Sequence, residues 1–340
     1  MTGSATQRGD LTAESTWWRN PSVGGLDLTD ASTLAGAVVW VVVTVAGDLG
    51  AIDRALALAP LVLVPLGMGL AATPRFDGLS GRFYDLAVVL QPLGALFFVG
   101  SLLVPSGVLA AGLAAPWVLV TGLLACAGLA RMRERGLGPL SETVVDAGLA
   151  YAVVGAVALV LFHLGITFWF SPVIILLTAV HFHYAGFVLP IATGLTGRCG
   201  SVNADPVYRT VASVVLVGPA IIALGISFSP AVELVGVGAF TLAVTVLGVF
   251  IVVRVSPTRP RVQGVLLAAS ALTLPVSMGF ALGFVLATVL GIDPLGLTIP
   301  RMVSLHGNLN AFGFALLAMV GWRLSVPSYR SLTTTNSARS

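Results

Sequence analysis

Charge is what this chain has least of. Only 9% of its 340 residues are Asp, Glu, Lys or Arg, while 57% are hydrophobic. Ordinary soluble domains carry roughly 25% charged residues. A soluble chain of this length needs far more polar surface, so the composition requires a polytopic membrane protein. Lysine is absent and all 17 basic residues are arginine, a bias we read as genomic and of little physical content. The net charge of +3 is small, and nothing in it suggests nucleic-acid binding. Cysteine is scarce too. Cys126 in an apolar run and Cys199 in a loop make neither a disulfide framework nor a metal-ligand spacing. The first 31 residues are polar and lack the apolar stretch of a cleavable signal peptide. Trp17 and Trp18 are expected at the membrane interface.

What remains is long apolar runs. A span needs about 20 mostly apolar residues, and ten candidates lie at 32–47, 55–73, 84–104, 107–130, 140–163, 172–197, 210–228, 231–253, 263–290 and 301–322. The expectation is an all-α transmembrane helical bundle of about ten spans. Residues 1–31 form a cytoplasmic tail, 32–322 the membrane domain and 323–340 a second cytoplasmic tail. With both termini cytoplasmic, 15 of the 17 arginines fall inside; only Arg54 and Arg301 lie opposite. That asymmetry is what the positive-inside rule requires of a multi-pass protein of the bacterial inner membrane. An odd span count would place the C-terminal arginines outside. Glycine is plentiful, 39 residues, which suits close packing of membrane helices.

Three of the four histidines lie inside these runs: His181, His183 and His306. A titratable group at membrane depth is costly, so it faces a protein interior or wet cavity and marks function by default. At ~1.5 Å of rise per residue, His181 lies roughly 14 Å below the outer surface, near the bilayer middle. Asn310 reaches a similar depth, and His306 lies nearer the outer face. Glu142 and Asp146 occupy the inner third of the fifth span, with Tyr151 near its centre. Glu142 and Asp146 share a helix face, as do His306 and Asn310. His181 shares a face with Thr178 and Tyr184, whereas His183 points about 200° away. Helical metal ligands are usually spaced i, i+4, so i, i+2 argues against a metal site unless the helix kinks near Pro190.

Each feature has a plainer reading. His183 can simply hydrogen-bond across helices. Asn308 and Asn310 can break the tenth helix, and Glu142 can serve a helix N-terminus. Asp85 and Gln91 are weaker candidates. Tyr84, Trp117 and Trp322 read as interface-belt residues, and His163, beside Phe168, Trp169 and Phe170, as interfacial.

The runs Thr-Ala-Val-His-Phe-His-Tyr-Ala-Gly-Phe at 178–187, continuing to Arg198, and His-Gly-Asn-Leu-Asn-Ala-Phe-Gly-Phe at 306–314 resemble the YndJ-like family of bacterial membrane proteins. The segment from Glu142 to Asp146 matches more weakly, and the first four spans match nothing specific. The resemblance implies that the three motifs belong together.

The resulting expectation is an intramembrane enzyme. Its acids protonate a lipophilic substrate, such as an isoprenoid or polyketide, and trigger isomerisation or cyclisation. The expected catalytic set is Asp146, His181, Glu142 and His306, with His181 and Asp146 as donors or relays. Tyr184, His183, Asn310, Asn308, Tyr151 and Phe187 are expected to line the cavity, where aromatic faces, Phe182 included, shield a cation. Neither metal nor cofactor is expected. The partners are that substrate and the bilayer. A proton-coupled secondary transporter is the alternative, although no matched pair of broken helices is evident in the sequence. A metal or haem protein ligated by His181, His183 and His306 is a further one.

Overall fold

The computed structural model describes residues 21–327. Trp17, Trp18 and the outermost arginines lie outside that range, so the side of the membrane on which the termini reside stays an expectation. Among the described residues ten helices are long and apolar enough to cross a bilayer. They are α1 (Leu28–Ala46), α2 (Ala51–Ala71), α3 (Gly78–Leu102), α4 (Val108–Arg135), α5 (Leu140–His163), α6 (Pro172–Gly197), α7 (Pro206–Phe228), α8 (Pro230–Thr258), α9 (Arg261–Leu290) and α10 (Ile299–Leu324). All ten expected spans are present.

The main differences lie at the arginine-bearing ends. α4 continues through Arg131, Arg133 and Arg135, and α8 through Arg254. Helix does not have to stop where hydrophobicity stops, because a long Arg side chain carries its charge to the surface or to a partner. Ahead of α1, Ser22–Val23 pairs with Leu26–Asp27 in a two-stranded hairpin. Gly24 and Gly25 turn it at φ 59° and 84°, a conformation that costs glycine little.

The helices are unequally enclosed. An 18-residue stretch of α2 is 83% buried and one of α1 only 11%, so α2 is the most enclosed of the ten helices and α1 the least. Pro60 and Pro65 remove two of its N–H donors, and the turn at Ala59–Leu63 is widened. Neighbouring side chains use the carbonyls of α2. Gln91 Nε2 donates to Pro60 O at 2.8 Å, Tyr84 Oη to Met68 O at 2.9 Å and Tyr184 Oη to Ala55 O at 2.9 Å. Widened turns recur in α6 at Tyr184–Val188, in α8 at Ile251–Val255 and in α10 at Val303–Gly307 and Leu309–Leu316.

Candidate functional site

His181 and His306 come together from α6 and α10. Their ring centroids are 6.3 Å apart and their planes 27° from parallel. His181 Nδ1 is 2.7 Å from Leu177 O. A carbonyl only accepts, so Nδ1 carries the proton and Nε2 is left with a lone pair. Among the described residues nothing hydrogen-bonds that Nε2, and the ring is exposed. His306 follows the same logic, with Nδ1 2.8 Å from Ser277 O on α9. Asn310 Nδ2 donates to Ser277 Oγ at 2.6 Å and to His306 O at 2.9 Å, and lies 3.2 Å from His306 Nε2. Asn308 turns away; it is exposed and donates to Ser304 O at 3.0 Å.

His183 does not join them. As its spacing from His181 required, it faces the other side of α6, where it is fully buried. Its Nδ1 donates to Ala179 O at 2.7 Å, and Trp117 Nε1 donates to its Nε2 at 2.9 Å. Phe98 and Trp117 close over the ring. Gly155 passes so near that a Cβ there would lie 2.6 Å from Nδ1. Both nitrogens are spent, so the expectation that His183 lines a cavity is corrected, and the alternative in which it ligates a metal loses its free nitrogen. Trp117→Phe removes that donor while keeping the packing. An imidazole nitrogen stranded in a dry core costs about 1–3 kcal/mol. A lowered melting temperature is expected for Trp117→Phe, against no change for His181→Ala, whose ring carries no such tie.

The carboxylates are elsewhere again. Glu142 and Asp146 are fully buried near the start of α5. Arg198 Nε and Nη2 grip Glu142 at 2.6 and 2.8 Å, and Arg131 also donates to Glu142. Arg131 Nη1 and Arg135 Nη2 hold the two oxygens of Asp146 at 2.6 and 2.7 Å. Every carboxylate oxygen faces a guanidinium. The expectation of one pocket shared by carboxylates and histidines is therefore not met.

Other expected lining residues are divided. Phe187 is fully buried, packed edge-on against Gly67 of α2. Tyr151 Oη donates to Leu216 O at 2.9 Å. Two clefts, of about 640 and 350 Å³, lie elsewhere: an apolar groove between α4 and α5, and a hollow near Arg75, Phe76 and Arg131. Neither is lined by a histidine.

Residues read as interfacial are also corrected. Tyr84, Trp117, Trp322 and His163 are all buried, and the first two are tied to a carbonyl and an imidazole. Burying these rings satisfies a donor and fills core volume at once, which an interface position does not. Asp85 pairs with Arg75 at 2.7 Å.

The sequence reading missed Arg131, Arg135, Arg198 and Ser277. One signal was present: Arg131 and Arg135 repeat the i, i+4 spacing of Glu142 and Asp146 across a short connection between consecutive spans.

A family model described as YndJ-like protein matches residues 54–314. The protein named "Uncharacterized membrane protein YndJ" from Bacillus subtilis (strain 168) is 33% identical over 235 residues, which is 68% of this chain and 41% of that protein. The chain thus spans well under half the length of that curated relative. No solved structure matches. The matched region takes in α5, α6, His181, His306 and the arginine–carboxylate network, and the chain belongs to the YndJ-like family of multi-pass membrane proteins.

Proposed function

We propose that this protein handles protons at the His181–His306 pair and couples them to a lipophilic small molecule, acting as a proton-coupled carrier. The observation behind this reading is an exposed imidazole with an open Nε2 beside a second imidazole from another span. Titratable groups near the middle of a bundle serve proton relays, and widened helical turns are frequent at functional sites. Widened turns occur in α2, α6, α8 and α10, and two of these helices, α6 and α10, carry the two histidines.

Protonation-triggered isomerisation or cyclisation fits less well. Protonating an alkene needs a strong acid, and both candidate carboxyl groups are ion-paired on every oxygen. What is left is an imidazole pair, suited to passing a proton to and from a weakly acidic or basic molecule.

Proteoliposomes holding a pH dye, under an imposed proton gradient, test this against a panel of lipophilic weak acids and bases. Compound-dependent proton entry is expected for the parent protein and for Trp117→Phe, and its loss for His181→Ala and His306→Ala. Chemical conversion of a compound without proton movement transfers the site to the enzyme reading. Proton entry unchanged in both histidine variants removes the site altogether.

A further inference from the structure

At the arginine-poor end of the bundle a second histidine arrangement is independent of the first. His163, the last residue of α5, is 5% exposed. Its Nδ1 lies 3.2 Å from Ser106 Oγ and its Nε2 3.3 Å from Ser101 Oγ. Proton directions follow from the third contact. Ser101 Oγ donates its one hydrogen to Phe98 O at 2.6 Å, so toward His163 it can only accept. His163 Nε2 therefore carries the proton, Nδ1 presents a lone pair, and Ser106 is the donor to it. A hydroxyl, an oriented imidazole and a fixed orienting group on its far nitrogen are the parts of an activated nucleophile. Spacings near 3.2 Å are normal for such pairs before substrate is bound.

The surroundings suit the role. Ser106 is exposed in the short turn between α3 and α4. A Cβ at the next residue, Gly107, would meet nothing within 4 Å, so the turn is open on that side. The first-turn N–H groups of α4 follow directly and have no acceptor inside the helix. They lie at its positive end, where a developing oxyanion is stabilised. Leu103, Val108 and Leu109 are exposed apolar neighbours that favour a substrate with a hydrocarbon chain at the membrane surface.

We infer that Ser106 is a nucleophile and His163 its general base, forming an acyl-transfer site for acyl esters presented at the membrane surface. Ser106 Oγ attacks the ester carbonyl carbon while its proton passes to His163 Nδ1. The carbon–oxygen bond to the leaving alcohol then breaks, and that alcohol takes the proton from His163. Water repeats the sequence on the Ser106 ester, giving up a proton to His163 and releasing the carboxylic acid and free Ser106. Ser101 is a positioning residue that holds the imidazole in the required tautomer.

The test uses the full chain in nanodiscs and an alkyl fluorophosphonate probe, read by peptide mass spectrometry. Expected is one adduct, on Ser106, forming on the order of 100-fold more slowly in His163→Gln, in line with the usual contribution of a general base. In the parent protein the labelling rate should rise with pH as the imidazole loses its proton and then level off. Ser101→Ala should shift that profile as well as lower the rate, which a purely structural residue would not do. The parent pH profile stands even where a variant fails to fold. No adduct on Ser106, a pH-independent rate, or equal labelling of a folded His163→Gln overturns the inference and leaves the Ser106–His163 bond as a structural tie.

Discussion

Arg198→Ala is expected to leave almost no folded protein. The Arg198 side chain is fully buried, yet its guanidinium is fully occupied. It grips Glu142 through two nitrogens, and donates to Leu70 O at 3.1 Å, Ala71 O at 3.1 Å and Thr73 O at 2.8 Å at the end of α2. One cation thus neutralises a carboxylate and satisfies carbonyls at the negative end of a helix, where a positive charge is favoured. Removing one partner of such a buried pair costs about 3–5 kcal/mol, because the other charge is stranded. Against a total of about 5–15 kcal/mol, that is a large share. Arg198→Lys should fare little better, since an ammonium cannot span a carboxylate and three carbonyls. Glu142→Gln removes the negative charge that two buried guanidinium groups share, and should be damaging too. Fluorescence-detected size exclusion and a melting curve in detergent check all three. Coupling far from zero in an Arg198/Glu142 double-mutant cycle is expected. If Arg198→Ala instead melts within a few degrees of the parent, Glu142 does not depend on its partner. The acid-triggered chemistry set aside above then regains its acid.

The same residues define what the sequence could disclose. Ten spans follow from run length and arginine asymmetry, because hydropathy and charge are local properties of a chain. The opposed directions of His181 and His183 follow from helical geometry alone, and the pairing of His306 with Asn310 from their i, i+4 spacing. The ion-pair network was only half legible. Glu142 and Asp146 stood out as buried acids, but burial raises the question of a partner without answering it. Arg131 and Arg135 lie just past the fourth apolar run, where hydropathy falls, although the helix continues through them. Arg198 is distant in sequence from the carbonyls it caps, and no periodicity reveals that. Trp117 and Tyr84 share the difficulty: an aromatic in an apolar run fits interface and core alike, and only tertiary contacts show that Trp117 seals His183 and Tyr84 holds α2.

Glycine is the harder case, and Gly36→Ala is expected to unseat α1. This helix buries only Thr29, Thr33 and Gly36, a narrow stripe one residue wide. A Cβ at Gly36 would lie 1.9 Å from Leu61 O and 2.7 Å from Leu61 C. Both are backbone atoms of α2, in a widened turn that Gln91 secures through the neighbouring Pro60 carbonyl. A side chain could rotate away, but this backbone cannot, so α1 has to move. Overpacking a tight contact costs about 1–3 kcal/mol, sometimes more, and α1 has little other burial to resist it. Besides partly buried apolar side chains such as Val39 and Val43, its ties include Arg323 with Asp30, Trp40 Nε1 donating to Arg54 O at 2.9 Å, and the Trp40 ring 5.9 Å from that of Phe312 on α10. Hydrogen exchange should therefore show lost protection over Leu28–Ala46 and spreading into α10 around Asn310, while α4 and α5 stay unchanged. Gly112→Ala and Gly122→Ala are the controls, because a Cβ at either position meets nothing within 4 Å. Both should match the parent in melting temperature. Protection over α1 that survives in Gly36→Ala would mean that this helix does not rest on Leu61. Spread into α10 matters most for function, since the proton-handling reading needs α10 to keep His306 beside His181, and α1 supports α10 through Trp40.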